Sequence, residues 1–190
     1  MSDPAPRRLV VGITGSSGPQ LGVRLLEVLQ DRRDVETHLV LSAGSAESLR
    51  LEMDRTPDSV AKLADTCYDV HDLAAAVSSG SFVTMGMVVM PCSMRTLGAV
   101  AAGVTGDLVS RAADVCLKER RRLVLVPRET PLNLIHLRNM ETLTLAGATI
   151  LPPVPAFYHR PETINDLVDH VVGKVLDQFG IEHDLFRRWR

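Results

Sequence analysis

Short, continuous apolar runs alternate along this chain with longer stretches in which apolar residues return at helical spacing. Leu9-Val-Val-Gly-Ile-Thr14, Val35-Glu-Thr-His-Leu-Val-Leu41, Met85-Gly-Met-Val-Val-Met90, Leu123-Val-Leu-Val126 and Thr149-Ile-Leu151 are such runs, and they predict buried strands of a parallel sheet. Between them Leu21, Val23, Leu25, Leu26 and Leu29 mark a first helix, and Ala46 to Met53 a second. Cys92 to Ala102, Leu108 to Arg120, Leu132 to Ala146 and Ile164 to Phe179 carry the later helical patterns. Pro91 is read as the stop of the third strand and Gly147 as a helix C-terminal stop, while Pro152-Pro-Val-Pro155 has to be extended. Residues 54–77 read as helix and loop with polar punctuation. A polar leader (1–7) and a polar tail (180–190) flank the pattern.

Alternation of strand and helix with no linker or repeat predicts one α/β domain built on a doubly wound, mostly parallel sheet. Ligands of such sheets lie beyond the carboxyl ends of the strands, near the point where strand order reverses. The segments to weigh are therefore 14–18, 42–46, 91–96, 127–131 and 152–160.

Composition narrows the partners. The 190 residues are 45 % apolar and 23 % charged, which excludes wholesale disorder. Lys and Arg total 21 against 23 Asp and Glu, a net charge of −2 that argues against a general nucleic-acid binder. Aromatic residues at 4 % leave few platforms for stacking bases. No apolar run approaches the roughly 18 residues of a membrane span, and the start MSDPAPRR lacks the apolar core of a secretory signal. Cys67, Cys92 and Cys116 are odd in number and widely spaced, which points away from a disulfide framework or a zinc site and towards a reducing cytoplasm.

The loops carry the chemistry. Thr14-Gly-Ser-Ser-Gly18 joins a strand to a helix with small residues, suited to a phosphate at a helix N-terminus or to a plain capped turn; it is neither a Walker A loop nor GxGxxG. Ser42, Ser93 and Thr96 are able to serve a ligand or simply cap helices. Cys92 is a small apolar residue or a nucleophile at a helix start. Arg111 and Lys118, seven residues apart, share a helix face with Asp114, so an ion-pair network competes with anion binding there. Arg128-Glu129-Thr130-Pro131 places a bidentate cation and a carboxylate beyond a buried strand. Tyr158-His159-Arg160 follows the proline-rich segment, and His159 has no metal-spaced partner.

Taken together, the segments VGITGSSG (11–18), VETHLVLS (35–42), SSGSF (78–82), MPCSMRTL (90–97), RAADVCLKER (111–120), LVLVPRETPL (123–132) and LPPVPAFYHRP (151–161) resemble the flavin prenyltransferase (UbiX-like) family of the flavin-containing decarboxylase fold group, over nearly the whole chain. The resemblance implies a three-layer Rossmann-like fold, with residues 1–190 forming a single FMN-binding domain, normally assembled as a homododecamer. It implies transfer of a dimethylallyl group from dimethylallyl phosphate to N5 and C6 of reduced FMN, without a metal. The product, prenylated FMN, would serve a UbiD-type decarboxylase. Neither nucleic acid nor membrane is implied as a partner. Carried over by motif, Gly15, Ser16, Ser17, Ser42, Ser93, Met94, Arg95, Thr96 and Arg128 would contact FMN. Tyr158 and Lys174, with Lys118, Arg128 and Arg111, would hold the prenyl phosphate. Ser17 and Glu52 would relay protons, with Glu129 close to the phosphate; without the resemblance Glu52 reads as a helix-surface carboxylate. Leu21, Ala43-Gly44, Arg95 and Lys174 depart from the family's usual residues, and the lysine keeps charge without bidentate geometry. Two alternatives share the fold group: an FMN-binding accessory subunit of a phenolic-acid decarboxylase assembly, and a flavin-dependent cysteine decarboxylase.

Overall fold

A computed structural model describes residues 6–189. The elements in chain order are β1 (Arg7–Ile13), α1 (Pro19–Gln30), β2 (Val35–Leu41), α2 (Ser45–Met53), α3 (Pro57–Ala61), β3 (Thr66–Tyr68), β4 (Gly86–Cys92), α4 (Met94–Ala101), α5 (Leu108–Lys118), β5 (Arg122–Pro127), α6 (Leu134–Leu145), β6 (Thr149–Ile150) and α7 (Ile164–Gln178). A single 3-10 turn covers Ala76–Ser78. All strand pairs are parallel, in the order β3-β2-β1-β4-β5-β6. Strand order reverses between β1 and β4, so the loops that follow these two strands flank the crevice.

Strand alternation sorts the core into two layers. Leu9, Val11, Ile13, Val88, Met90, Val124 and Val126 face one side, packed with α1 and α7. Val10, Val40, Met87, Val89, Leu123 and Leu125 face the other, packed with α4, α5 and Leu143 of α6. Helices on both faces of an all-parallel sheet make the doubly wound, single-domain α/β fold that the sequence pattern predicts, in the three layers that the resemblance implies. Among the described residues no helix is long and apolar enough to cross a membrane.

Three readings of the sequence need correction. β4 does not stop at Pro91 but continues to Cys92, and α4 begins at Met94 rather than Cys92. The missing proline N–H is tolerated because the β4–β5 ladder shifts register between Val89 and Cys92, while the Pro91 carbonyl accepts from Thr14 N (3.2 Å) and Thr14 Oγ1 (2.8 Å). Residues 54–77, read as helix and loop, also hold the edge strand β3; three residues give no visible alternation. What fastens the neighbouring chain is Asp65, whose Oδ2 accepts from Thr37 N at 2.7 Å and Thr37 Oγ1 at 2.8 Å. The helix predicted over Leu108 to Arg120 ends at Lys118, with Arg120 in a left-handed conformation at φ 55°. Residues 1–5 of the expected leader and Arg190 of the tail lie outside the described residues. Within the rest of the tail Ile181 is buried against the α1–α7 layer and Leu185 packs on it, while Arg187, Arg188 and Trp189 are exposed.

Candidate active site

The β1–α1 loop fastens the other loops of the carboxyl edge. Thr14 Oγ1, buried at the end of β1, accepts from Ser93 N at 2.8 Å as well as donating to Pro91 O. Ser16 Oγ donates to the Arg128 carbonyl at 2.8 Å, tying the loop to the end of β5. Ser17 Oγ donates to Glu52 Oε2 at 3.0 Å, and the Gly18 N–H reaches the same oxygen at 2.9 Å. Gly18 takes φ 96°, a left-handed geometry that favours glycine, to turn the chain into α1. A Cβ on Gly15 would sit 2.8 Å from the Gly44 backbone, so this loop and the one after β2 approach as closely as two glycines allow.

A cleft of about 390 Å³ opens where these loops meet, lined by Gly15, Ser42, Ala43, Gly44, Ser93, Arg95 and Thr96. Its volume falls in the range of about 300–1,000 Å³ typical of small-molecule sites. The N-terminus of α4 faces it: the Ser93 hydroxyl caps the helix by accepting from Thr96 N (3.2 Å) and donates to Thr96 Oγ1 (3.1 Å). The N–H groups of the first turn, Met94 and Arg95 included, have no intrahelical acceptor and suit an anion. At the start of α1 the corresponding Gly18 donor is already engaged by the protein's own Glu52. The phosphate-friendly end is therefore α4 more than the 14–18 loop.

Of the residues expected at FMN, Gly15, Ser42, Ser93, Arg95 and Thr96 line one cleft. Met94 belongs to the same helical turn; Ser16 and Arg128 do not line the cleft but are joined to each other. Ser17 turns towards Glu52, at the end of α2. Glu52 is no idle surface carboxylate, because both its partners come from a loop 34 and 35 residues away. Glu129 is exposed and accepts from Thr130 N at 3.0 Å. The cleft also takes Val70, His71, Val104 and Asp107. Spacing gave no signal for these four, which reach it from residues 54–77, read as helix and loop, and from the unassigned stretch between the helices read to end at Ala102 and to start at Leu108.

The residues expected at the prenyl phosphate are not brought together within one chain. Arg111 lies on α5, donating to Ser78 O (3.1 Å) and Asp114 Oδ2 (2.8 Å); Lys118, on the same helix, pairs with Glu119. Lys174, on α7 across the sheet, lies 3.5 Å from Asp177 Oδ2. Tyr158 lies beside α7, its hydroxyl 3.1 Å from His170 Nε2. The competition foreseen for the Arg111 face resolves into an Arg111–Asp114 pair, with Lys118 turned to another carboxylate.

Cys92 is fully buried at the end of β4, and burial pushes its thiol pKa up to about 12, so it is a packing residue rather than a thiolate. Among the described residues no three His, Cys, Asp or Glu side chains are grouped as a metal site.

Fold and cleft define the class: a doubly wound α/β subunit with a small-molecule cleft at its switch point. A family model described as Flavoprotein matches residues 2–176. The flavin prenyltransferase UbiX of Escherichia coli K12 is 54 % identical over 186 residues, 97 % of this chain and 98 % of that protein. A crystal structure of AnUbiX (PadA1) in complex with FMN and dimethylallyl pyrophosphate superposes with a TM-score of 0.95 at 53 % identity, covering 97 % of this chain and 98 % of that one. A dodecameric FMN-dependent UbiX-like decarboxylase from Escherichia coli O157:H7 gives a TM-score of 0.94 at 54 % identity, covering 96 % and 99 %. The chain belongs to the flavoprotein family, among its UbiX-like flavin prenyltransferases. The peptidyl-cysteine decarboxylase EpiD shares the fold alone, at 18 % identity and a TM-score of 0.64 over 92 % of this chain and 98 % of that one.

Proposed function

We propose that this chain is a metal-independent flavin prenyltransferase, a single FMN-binding domain that transfers a dimethylallyl group from dimethylallyl phosphate to N5 and C6 of reduced FMN. The observation that carries the reading is the carboxyl-edge cleft of about 390 Å³ lined by Gly15, Ser42, Ser93, Arg95 and Thr96, with the Ser17–Glu52 hydrogen bond made by the same β1–α1 loop that supplies Gly15. The close Gly15–Gly44 approach and the capped N-terminus of α4 fit FMN in that cleft.

Reduced FMN, when bound, supplies two nucleophilic ring positions and an electron-rich face for an allylic cation. The chain does the rest. Ser42, Ser93, Thr96 and the first-turn N–H groups of α4, with Arg95 and Arg128, hold the nucleotide. Departure of the prenyl phosphate needs positive charge where negative charge develops, in a site closed to water. Lys118, Arg128 and Lys174 supply that charge in place of a metal, with Arg111, Glu129 and the Tyr158 hydroxyl around it. Ring closure at C6 would need a proton added to the prenyl double bond and one removed from C6, and Ser17 Oγ with Glu52 Oε2 would carry those transfers.

Because α5 and α7 lie on opposite faces of the sheet, one chain cannot surround a phosphate with Lys118 and Lys174 together. The set closes between neighbouring copies, and a homododecamer like that of the relative is the assembly we infer. Large apolar side chains left exposed on one chain, among them Ile135 (61 %), Leu145 (83 %), Phe157 (69 %) and Ile164 (75 %), supply surface for such contacts. The prenylated FMN goes to a UbiD-type decarboxylase. A reducing cytoplasm suits the free thiols of Cys67, Cys92 and Cys116.

The test is anaerobic incubation with reduced FMN and dimethylallyl phosphate, followed by mass spectrometry of the extracted flavin. The expected result is released inorganic phosphate and a flavin heavier by one five-carbon unit. Bound but unmodified FMN would instead favour an accessory subunit of a decarboxylase assembly.

A further inference from the structure

Tyr158 stands in a cluster of rings outside the flavin cleft. His170 of α7, only 7 % exposed, places Nε2 at 3.1 Å from the tyrosine hydroxyl. His159 stacks on His170, with centroids 5.0 Å apart and planes at 6°, and Phe186 of the tail lies 4.7 Å from the same ring. Trp189 meets Tyr158 edge-on at 5.6 Å. The His170 Nδ1 is buried with no partner, as are both ring nitrogens of His159. The charged groups around the pair are Lys174 and Asp177, further along α7, with His183 and Arg188 of the tail bound to Asp177 at 3.2 and 2.7 Å.

This environment selects a tautomer. A buried N–H without an acceptor is a rarer and costlier defect than an unfilled lone pair. The His170 proton therefore belongs on Nε2, where the tyrosine oxygen accepts it, and Nδ1 keeps a bare lone pair. Burial, His159 and Lys174 all lower the His170 pKa and hold the ring neutral. With its oxygen satisfied by His170, the Tyr158 hydroxyl keeps its own proton for another acceptor, and the tyrosine is 41 % exposed.

Resting on the prenyl-transfer reading, we propose that His170 is a positioning residue, whose Nε2–H holds the Tyr158 oxygen and commits the tyrosine O–H as a donor to the substrate phosphate. It touches neither phosphate nor flavin and acts through Tyr158.

The experiment uses the FMN-loaded protein with His170→Phe, which keeps a ring against His159 and Phe186 but has no N–H, and His170→Gln, whose amide N–H stands near the Nε2 position. His170→Phe is expected to raise KM for dimethylallyl phosphate about three- to tenfold, the size of one neutral hydrogen bond, with FMN affinity unchanged. His170→Gln should recover most of the loss, and His170→Phe should add nothing to Tyr158→Phe. An equal loss whether Tyr158 is intact or already replaced, no rescue by glutamine, or an unchanged KM would each overturn the proposal. A second readout needs no turnover. The chain has two tyrosines, Tyr68 and Tyr158, so NMR of ring-labelled tyrosine gives one resonance for each. His170→Phe should move the Tyr158 resonance and leave that of Tyr68; a stationary Tyr158 resonance would overturn the link. Lack of prenylated flavin from the unaltered chain would count against the prenyl-transfer reading instead, and the tyrosine resonances would still decide the role of His170.

Discussion

At the carboxyl edge of the sheet, loops distant in sequence are bound to one another: Thr14 to Pro91 and Ser93, Ser16 to Arg128, Ser17 and Gly18 to Glu52. The cations Arg111, Lys118 and Lys174 sit on opposite faces, each resting beside a carboxylate close to it in sequence. The first region is preorganised by one chain, so its geometry is ready before any ligand arrives. The second is a set of partly exposed surface pairs, each worth only about 0–1 kcal/mol. Such pairs are cheap to break, so under the proposed function the same cations would turn to a phosphate once a neighbouring copy brought the remainder of the site.

The sharpest way to break the cleft is Gly15→Ala. Its Cβ would meet the Gly44 backbone at 2.8 Å, where there is no flexible side-chain end to yield. Flavin should no longer copurify, while the far face of the sheet keeps the chain folded by circular dichroism. Glu52→Gln comes next: the amide oxygen still accepts from Gly18 N, so FMN binding persists, but turnover should fall about a hundredfold, the low end of what a positioned base supplies. Single-turnover rates check this. On the other side of the comparison, Lys118→Ala should leave FMN affinity alone and raise KM for dimethylallyl phosphate roughly tenfold, as loss of one charge-assisted contact would. An unchanged KM would reduce Lys118 to half of a structural pair.

The smallest expected effect concerns the tail beside Tyr158. Burial pushes the Asp177 carboxyl pKa up, but Arg188, His183 and Lys174 outweigh it and hold the pKa below the usual range. The folded value lies under the unfolded one, so the stabilisation is complete above the unfolded carboxylate pKa of about 3.9. It drains away as pH falls through the folded value. Tail fluorescence from Trp189, the single tryptophan, should change in that acidic window. Asp177→Asn should abolish the transition.

Strand runs and helical spacing made most of the fold legible, because burial on both faces of a parallel sheet leaves continuous apolar blocks such as Leu123 to Val126. Pro91 misled, since its lost N–H coincides with a ladder irregularity that no local pattern announces. β3 was hidden by its length. In the site, Gly15, Ser42, Ser93 and Thr96 were readable from their places after strands. Glu52 was not readable from spacing, because its partners come from another loop; the family motif alone pointed to it. The tie made by Thr14, the arrival of His71 and Asp107 at the cleft and the pairing of Tyr158 with His170 are tertiary facts with no periodic signature.

Under the proposed function, flavin is held by one chain while the prenyl phosphate is held between copies. Mixing Lys118→Ala and Lys174→Ala protomers in one assembly tests it most directly, with heavier flavin in the mass spectrum as the readout. Each variant alone should be impaired at limiting dimethylallyl phosphate. Mixed assemblies should regain activity, because some sites then draw an intact Lys118 from one protomer and an intact Lys174 from its neighbour. Mixed assemblies no more active than the separate variants would mean that both lysines serve the same site from the same chain, and the division described here would be wrong.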